Sequence, residues 1–192
     1  MKKMFMIAVC IAASGFLFAQ SVQFGLKGGV NIASLNFENG RDFDSRASFN
    51  VGGLAHIHVS PHFAVQPEIY YSGQGGKDGS EKARLGYLNI PVLVQYMAGN
   101  GFRLQTGPQL GILLSAEDEV DGVSTDEKDN LNTVDFAWSF GAGYKFPGCG
   151  LGVDARYNLG LTNIMDGGPD VVKNRVLSIG LFYQFMNNGQ RH

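Results

Sequence analysis

Two histidines on one predicted strand are the residues that most suggest metal or acid–base chemistry. His56 and His58 are two positions apart, so on a strand they share a face at a separation of about 7 Å. Imidazole nitrogens are common metal ligands, but the sequence supplies no third ligand at a matching spacing. No nucleophile or orienting acid can be assigned to either ring. We therefore expect no metal site, no cofactor and no catalytic residues, and we expect both rings to lie in a polar interior.

The acidic segment Glu117–Asn132 is a candidate for calcium binding. Its spacing begins as an EF-hand loop does, and Gly122 stands where such a loop turns. The twelfth position, however, is Lys128, where a bidentate glutamate is required. We therefore expect a solvated acidic loop, and loose bridging of divalent cations is the alternative. The carboxylates of this segment are Glu117, Asp118, Glu119, Asp121, Asp126, Glu127 and Asp129.

The elements that would position these residues are predicted by alternation of apolar and polar side chains. Within Leu151–Thr162 the odd positions are apolar and the even positions are polar or glycine. Successive side chains of a strand point to opposite faces, so this segment has one apolar and one polar face. The same alternation is found in Gln23–Asn31, Asn50–Val59, Phe63–Ser72, Leu85–Met97, Phe102–Ser115, Val134–Phe146 and Arg175–Phe185.

The lengths of these eight segments and of their connections predict a membrane barrel. Most segments hold about 9 to 14 residues, which suits strands that cross a membrane better than the shorter strands of soluble domains. Short connections (Ser60–His62, Ala98–Gly101, Pro147–Gly150) alternate with long ones (Asn36–Ser48, Gly73–Arg84, Glu117–Asn132, Asn163–Asn174). Outer-membrane barrels have short periplasmic turns and long external loops. The predicted fold is an all-β, eight-stranded, antiparallel up-and-down transmembrane β-barrel.

Glycine and aromatic residues predict which face meets lipid. Many of the 27 glycines lie on the polar face, for example Gly52 and Gly107. Small residues relieve crowding inside a narrow barrel, whereas on a solvated outer face they would weaken the strands. Aromatic residues end the apolar face, as in the girdles of membrane barrels. We expect bulges or ladder ends at the strand prolines Pro67, Pro91 and Pro108, because proline lacks an N–H.

The inward face of the predicted barrel carries charges of both signs. Burial of a charge costs several kcal/mol unless it is paired. We therefore expect a structural polar network that fills the lumen, with Glu68 as its most constrained member and Arg103 and Arg156 as its partners. A narrow conducting path is the alternative. The seven inward charges are Lys27, Glu68, Arg103, Asp135, Lys145, Asp154 and Arg156.

The first nineteen residues have the order of an export signal. Lys2 and Lys3 precede the apolar run Met4–Phe18, and Ala19 is a small residue at the cleavage position. The run is shorter than the roughly 20 residues that span a bilayer as a helix. We predict a signal peptide at 1–19 and one barrel domain at 20–192. Cys149 would then be the single cysteine, so no intramolecular disulfide is expected.

Five sequence blocks resemble the PorT-like outer-membrane β-barrel proteins of Bacteroidetes-type bacteria. The blocks are FGLKGGVN (Phe24–Asn31), QPEIYYS (Gln66–Ser72), LNIPVLVQY (Leu88–Tyr96), QTGPQLGILLSA (Gln105–Ala116) and GLGVDARYNLGLTNI (Gly150–Ile164). The resemblance implies an outer-membrane barrel in which strand prolines recur. It implies no catalytic residues, and it implies a link to protein export for the namesake of the family.

The predicted function is a structural or interaction role at the Gram-negative cell envelope, without catalysis. The formal net charge of −2 offers no basis for nucleic-acid binding. We expect a monomer whose partners are outer-membrane lipid and other envelope or secretion proteins. The alternatives are a small outer-membrane enzyme, a narrow pore, and a soluble periplasmic lipid-binding barrel.

Overall fold

The computed structural model describes residues 21–37, 44–78, 81–120, 123–167 and 171–185. The predicted signal peptide lies outside this part of the chain. The strands are β1 (Val22–Phe37), β2 (Asp44–His58), β3 (Phe63–Asp78), β4 (Glu81–Met97), β5 (Phe102–Val120), β6 (Val123–Asp126), β7 (Val134–Lys145), β8 (Leu151–Gly160) and β9 (Val172–Gln184), with a short 3₁₀ helix at Lys128–Asn130. Among the described residues, no helix is both long enough and apolar enough to cross a membrane.

The strands close into the predicted barrel of eight antiparallel strands. Consecutive strands pair from β1 to β5, β5 pairs with β7, and the order continues through β8 to β9. Closure comes from the pairing of β1 with β9 over Gly25–Phe37. β6 pairs with β5 alone, so it belongs to a hairpin that extends beyond the barrel and is not one of the eight barrel strands. Closure leaves the eight barrel strands without a free edge, so their backbone N–H and carbonyl groups can form hydrogen bonds within the sheet while it lies in a bilayer.

The long connections are shorter than predicted, because the strands continue into them. β3 and β4 pair up to Asp78 and Glu81, and β5 turns back into β6 beyond Val120. The strands are 10 to 19 residues long, apart from β6. These extensions carry polar residues on both faces, so their sequence lacks the alternation that marks the membrane part. We call this side of the barrel the long-hairpin end, and the side with turns at 59–62, 98–101 and 146–150 the short-turn end.

Apolar side chains face outward around the whole barrel. Phe24 is 64% exposed, Val30 57% and Ile179 52%. Aromatic pairs stand at the short-turn end, where the ring centroids of Tyr144 and Phe146 are 5.4 Å apart. An apolar surface that runs around the whole barrel is unusual for a protein in water, and it matches the apolar band and aromatic girdle of a membrane barrel.

The strand prolines interrupt the pairing without a bulge. The pairing of β2 with β3 skips Pro67, that of β3 with β4 skips Pro91, and that of β4 with β5 skips Pro108. The register is the same on both sides of each gap, so of the two expected features, a bulge or a ladder end, these prolines show no bulge and each stands at a break in one ladder. Each proline still pairs with the strand on its other side, as Pro108 does with Trp138. The missing N–H therefore affects one ladder only.

The interior of the barrel leaves no room for a side chain at Gly52. A Cβ there would overlap the carbonyl oxygen of Ile69 and the Cα of Tyr70, whereas a Cβ on outward-facing Gly53 would lie 3.7 Å from its nearest neighbour. We expect Gly52→Ala to lower the free energy of unfolding by about 1–3 kcal/mol, because the β3 backbone must move. Gly53→Ala should change it by less than about 0.5 kcal/mol.

Urea unfolding of the protein refolded in phospholipid vesicles measures both variants. The two glycines are adjacent on β2 and differ in the face that they occupy. Equal losses for the two variants would contradict the assignment of faces.

Candidate functional site in the barrel interior

Three charged side chains from three strands meet at the centre of the lumen. Glu68 on β3 accepts two hydrogen bonds from Arg156 on β8, at 2.8 Å from Nη1 and 2.9 Å from Nη2. Lys27 on β1 donates to the Oε2 atom of Glu68 at 2.9 Å. The side chains of Glu68 and Arg156 are 0% and 2% exposed. We refer to Lys27, Glu68 and Arg156 as the ion cluster.

Polar neighbours add further contacts to the ion cluster. Gln66 donates to the Oε1 atom of Glu68 at 2.8 Å, and Arg156 also contacts Asp154, with 3.2 Å between Nη2 and Oδ2. The ammonium of Lys27 lies 4.7 Å from the ring centroid of Tyr70. Both oxygens of Glu68 are engaged by donors, so it has no free lone pair with which to act as a base toward a substrate. The arrangement acts as a cross-link between β1, β3 and β8.

Three of the other predicted lumen residues form no ion pair with the ion cluster among the described residues, namely Arg103, Lys145 and Asp135, whereas Asp154 contacts Arg156. The guanidinium of Arg103 lies 5.0 Å from the ring centroid of Phe182, and within the described residues it forms no ion pair with Glu68. Lys145 donates to Gln23 at 3.4 Å near the short turns. Asp135 accepts from Thr162 at 2.6 Å. The expectation that Arg103 pairs with Glu68 was wrong, because Arg103 stands near the start of β5 while Glu68 lies well inside β3.

Uncharged amide and hydroxyl side chains form a second polar layer in the lumen. The prediction made from the inward charges did not include this layer. Asn31 donates to Ser72 at 2.9 Å and accepts from Asn50 at 2.6 Å. Ser178 on β9 also donates to the Oδ1 atom of Asn31, at 2.8 Å. The signal was present in the sequence, because each of these residues occupies an inward position of its strand. Together they link β1, β2, β3 and β9.

The lumen beside the ion cluster is filled. The space bounded by Lys27, Leu54, Arg103 and Phe182 leaves about 0 Å³ for a water molecule. Eight strands enclose an interior just wide enough for side chains. Side chains of the described residues therefore fill the space beside the ion cluster.

The interior changes character toward the long-hairpin end. Leu35, Leu85, Tyr87, Leu113, Ala116, Ile164 and Val172 form a buried apolar cluster. Its members come from β1, β4, β5, β9 and the segment before β9, so no pattern within one strand predicts the cluster.

In the described part of the chain, neither the histidines nor the carboxylates of the acidic segment are arranged as metal ligands. His56 contacts Gln66, with 3.1 Å between Nδ1 and Oε1, and its ring stands edge-on to His58 with the centroids 4.6 Å apart. No group of three His, Cys, Asp or Glu residues that could hold a metal ion occurs in the part of the chain that is described. All three described histidines lie near the short turns. A serine-based enzyme site at the opposite rim would therefore lack a histidine among these residues.

Within the acidic segment, Glu119 forms ion pairs with two neighbouring cations. Lys82 donates to it at 3.0 Å and Arg84 forms a second ion pair with it. The hydrogen bond from Lys82 lowers the pKa of Glu119, so these ion pairs persist to a lower pH than an isolated glutamate would allow. The ion pairs link β4 to β5 beyond the apolar belt.

Solved structures share this barrel. The chain is similar to Neisserial surface protein A, with a TM-score of 0.63 and 15% sequence identity over 86% of this chain and 99% of that chain. It is also similar to Ail, the attachment invasion locus protein of Yersinia pestis, with a TM-score of 0.52 and 15% identity over 85% and 98% of the two chains. At these identities the similarity shows the fold alone.

Sequence comparison identifies the family. No curated protein sequence matches the chain. The family model described as "Outer membrane protein beta-barrel domain" matches residues 18–166, which include β1 to β8 and the ion cluster. The apolar belt, the closed sheet and this match agree on one location, the outer membrane. The chain belongs to the outer membrane protein beta-barrel domain family.

Proposed function

We propose that this protein is a non-conducting outer-membrane anchor that presents its long hairpins to other molecules. The ion cluster is the observation that carries the proposal. Lys27, Glu68 and Arg156 bind one another across the lumen, at a level where no space for water remains. A protein that served as a pore would need an open path at this level.

The two ends of the barrel differ in a way that supports a presenting role. At one end the turns are tight, whereas at the other β3, β4 and β5 continue past the apolar belt. In outer-membrane barrels the short turns are periplasmic and the long connections are external. We therefore place the long-hairpin end outside the cell, where the hairpins β3–β4 and β5–β6 are the first structures that a partner meets.

Charge on the hairpin formed by β5 and β6 favours a partner that is not an anion. Ail has been crystallised with the heparin analogue sucrose octasulfate, a polyanion. In the present protein the described residues of 116–131 carry Glu117, Asp118, Glu119, Asp126, Glu127 and Asp129 against Lys128. Like charges repel across an interface. The expected partner is therefore a neutral or basic surface of another envelope or external protein.

The resemblance to PorT-like proteins implies one specific partner class, the machinery of protein export. No contact within the described residues favours that class over other envelope proteins. It stays a prediction of the resemblance, and proteins that co-purify from detergent-extracted envelopes would test it. Lipid contact and a monomeric state belong to the same proposal, since a closed barrel needs no second copy to complete its sheet.

Planar-bilayer recording tests whether the lumen is closed. We expect the refolded protein to show no steady ohmic conductance in KCl, because the side chains of the ion cluster fill the cross-section. A well-characterised porin, inserted under the same conditions, serves as the positive control. Steady conductance that scales with the number of inserted molecules would contradict the proposal.

An epitope tag inserted at Gly122 tests the presenting role in the same protein. We expect protease to remove the tag from intact cells, because β5 and β6 extend away from the membrane on either side of this position. A tag inserted beside Cys149, in the opposite turn, should be protected. Protection at Gly122 with cleavage at Cys149 would reverse the orientation.

A further inference from the structure

An apolar cavity of about 190 Å³ lies inside the barrel at the long-hairpin end. Its walls include Leu35 from β1, Leu85 from β4 and Val172 from β9, with Ile164 and Met165 on the segment before β9. The cavity lies on the apolar cluster and is separated from the ion cluster by the layer of amide side chains around Asn31. It plays no part in closing the lumen.

The segment that walls the cavity is held in place by hydrogen bonds. Ile164 donates its N–H to the carbonyl of Val172 at 3.0 Å and accepts from the N–H of Asn132 at 2.8 Å. The side-chain amide of Asn132 donates to the carbonyl of Met165 at 2.8 Å, and the N–H of Asp166 donates to the carbonyl of Asn130 at 3.0 Å. These bonds keep Ile164 and Met165 from collapsing into the space. The cavity is therefore built into the fold.

The size of the cavity limits what it can hold. An engineered apolar cavity of about 150 Å³ in another protein holds benzene. A space of about 190 Å³ therefore suits one aromatic ring or a short alkyl chain with a small polar group. Ala83 and Ala116 are small residues on its wall, where larger side chains would have filled it. A dry void forfeits contacts on one side of every wall atom, and an apolar occupant would restore them.

Carboxylates at the rim of the cavity define the polar group. Glu117, Asp118 and Glu127 line it. The nearby cations Lys82 and Arg84 are bound to Glu119, and no described residue forms an ion pair with the three rim carboxylates. Glu127 accepts one hydrogen bond from Asn130 at 2.5 Å. Among the described residues, the rim thus places three carboxylates that form no ion pair beside an apolar space.

We propose that this cavity binds small amphiphilic amines, with the ring or alkyl body among the leucine and isoleucine side chains and the ammonium group at the rim carboxylates. A charge-assisted hydrogen bond from an ammonium to a carboxylate is among the stronger polar contacts in proteins. Apolar burial supplies affinity and the rim supplies preference for a cation. The inference does not depend on whether the lumen conducts, because the cavity opens at the end of the barrel.

The test uses 2-phenylethylamine as the probe and its neutral analogue 2-phenylethanol as the comparison. The refolded full chain carries ¹³C-methyl methionine, so that Met165 reports on the cavity and Met97, at the opposite end of the barrel, reports on unspecific partition into detergent. We expect saturable shifts of the Met165 methyl signal with the amine and a negligible response at Met97. The alcohol should bind about tenfold more weakly, because it lacks the charge-assisted contact.

Two variants separate the apolar and the charged parts of the site. The triple variant Glu117→Gln, Asp118→Asn, Glu127→Gln leaves the cavity intact and should weaken the amine about tenfold with little change for the alcohol. Ala83→Leu narrows the cavity and should weaken both probes. The triple variant alters exposed or half-buried side chains, so it provides a test even if Ala83→Leu does not refold.

The absence of a saturable shift at Met165, equal shifts at Met165 and Met97, or equal binding of amine and alcohol would overturn the inference. Steady conductance in the bilayer experiment would contradict the anchor proposal, and it would not bear on amine binding. Failure of the present proposal and failure of the anchor proposal are therefore distinguishable.

Discussion

Replacement of Glu68 by glutamine is expected to lower the free energy of unfolding by about 3–5 kcal/mol. The carboxylate of Glu68 is the shared partner of Lys27 and Arg156, and all three side chains are buried. Removal of its charge leaves two cations in the lumen with only Asp154 nearby. Breaking a buried ion pair by removal of one partner is costly for this reason. Equilibrium unfolding in urea, with the protein refolded in phospholipid vesicles, measures the loss.

Two controls make the Glu68 result specific. Glu119→Gln removes a carboxylate that is also paired with two cations but lies outside the apolar belt, and it should cost much less because solvent reaches its partners Lys82 and Arg84. The double variant Lys27→Met, Glu68→Gln removes one charge of each sign and leaves the contact of Arg156 with Asp154. We expect it to be more stable than Glu68→Gln alone. If Glu68→Gln is no more harmful than Glu119→Gln, the ion cluster does not hold the barrel together.

An arginine at Leu181 is expected to cost about 2–4 kcal/mol, because this outward side chain lies near the middle of the apolar belt. Four other exposed apolar residues flank it along this face, Phe185 and Tyr183 on one side and Ile179 and Leu177 on the other. Arg175, the next outward residue, marks where the belt ends. A guanidinium at the midplane must either leave water or distort the bilayer. The same vesicle unfolding measurement applies.

Position along β9 provides the control for the arginine scan. Leu177→Arg lies next to Arg175, and its cost should fall toward 0–1 kcal/mol, roughly that of an interfacial site. A soluble barrel in water would tolerate arginine equally at both positions and would become more soluble. Equal tolerance of Leu181→Arg and Leu177→Arg would therefore contradict the membrane assignment and favour the soluble alternative.

The faces of the strands could be predicted from the sequence because side-chain direction is a local property. A strand of period two places Glu68 inward and Ile69 outward wherever the strand lies in the barrel. The inward glycines were predictable for the same reason, as were the tight turns at Ser60–His62 and Pro147–Gly150. The fold class follows from these local signals together with the alternation of connection lengths.

The contacts across the lumen were decided by tertiary structure. Arg156 is 88 residues from Glu68 along the chain and Lys27 is 41 residues away. Which cations meet Glu68 depends on the stagger between strands that closure of β1 onto β9 imposes, and no alternation pattern encodes that stagger. Arg103 had the right charge and the right face, but it stands at another height in the barrel.

The apolar cluster and its cavity depend even more on closure. Leu35, Leu85 and Val172 lie on three different strands, and Ile164 belongs to a segment that has no regular structure. The sequence around any one of these residues does not indicate that it belongs to a cluster. The sequence by itself determined which side chains face lipid and which face the axis, because that choice is made within each strand. Only the closed barrel decided which of the inward side chains meet, because partners on different strands are brought to one height by the register of the whole sheet.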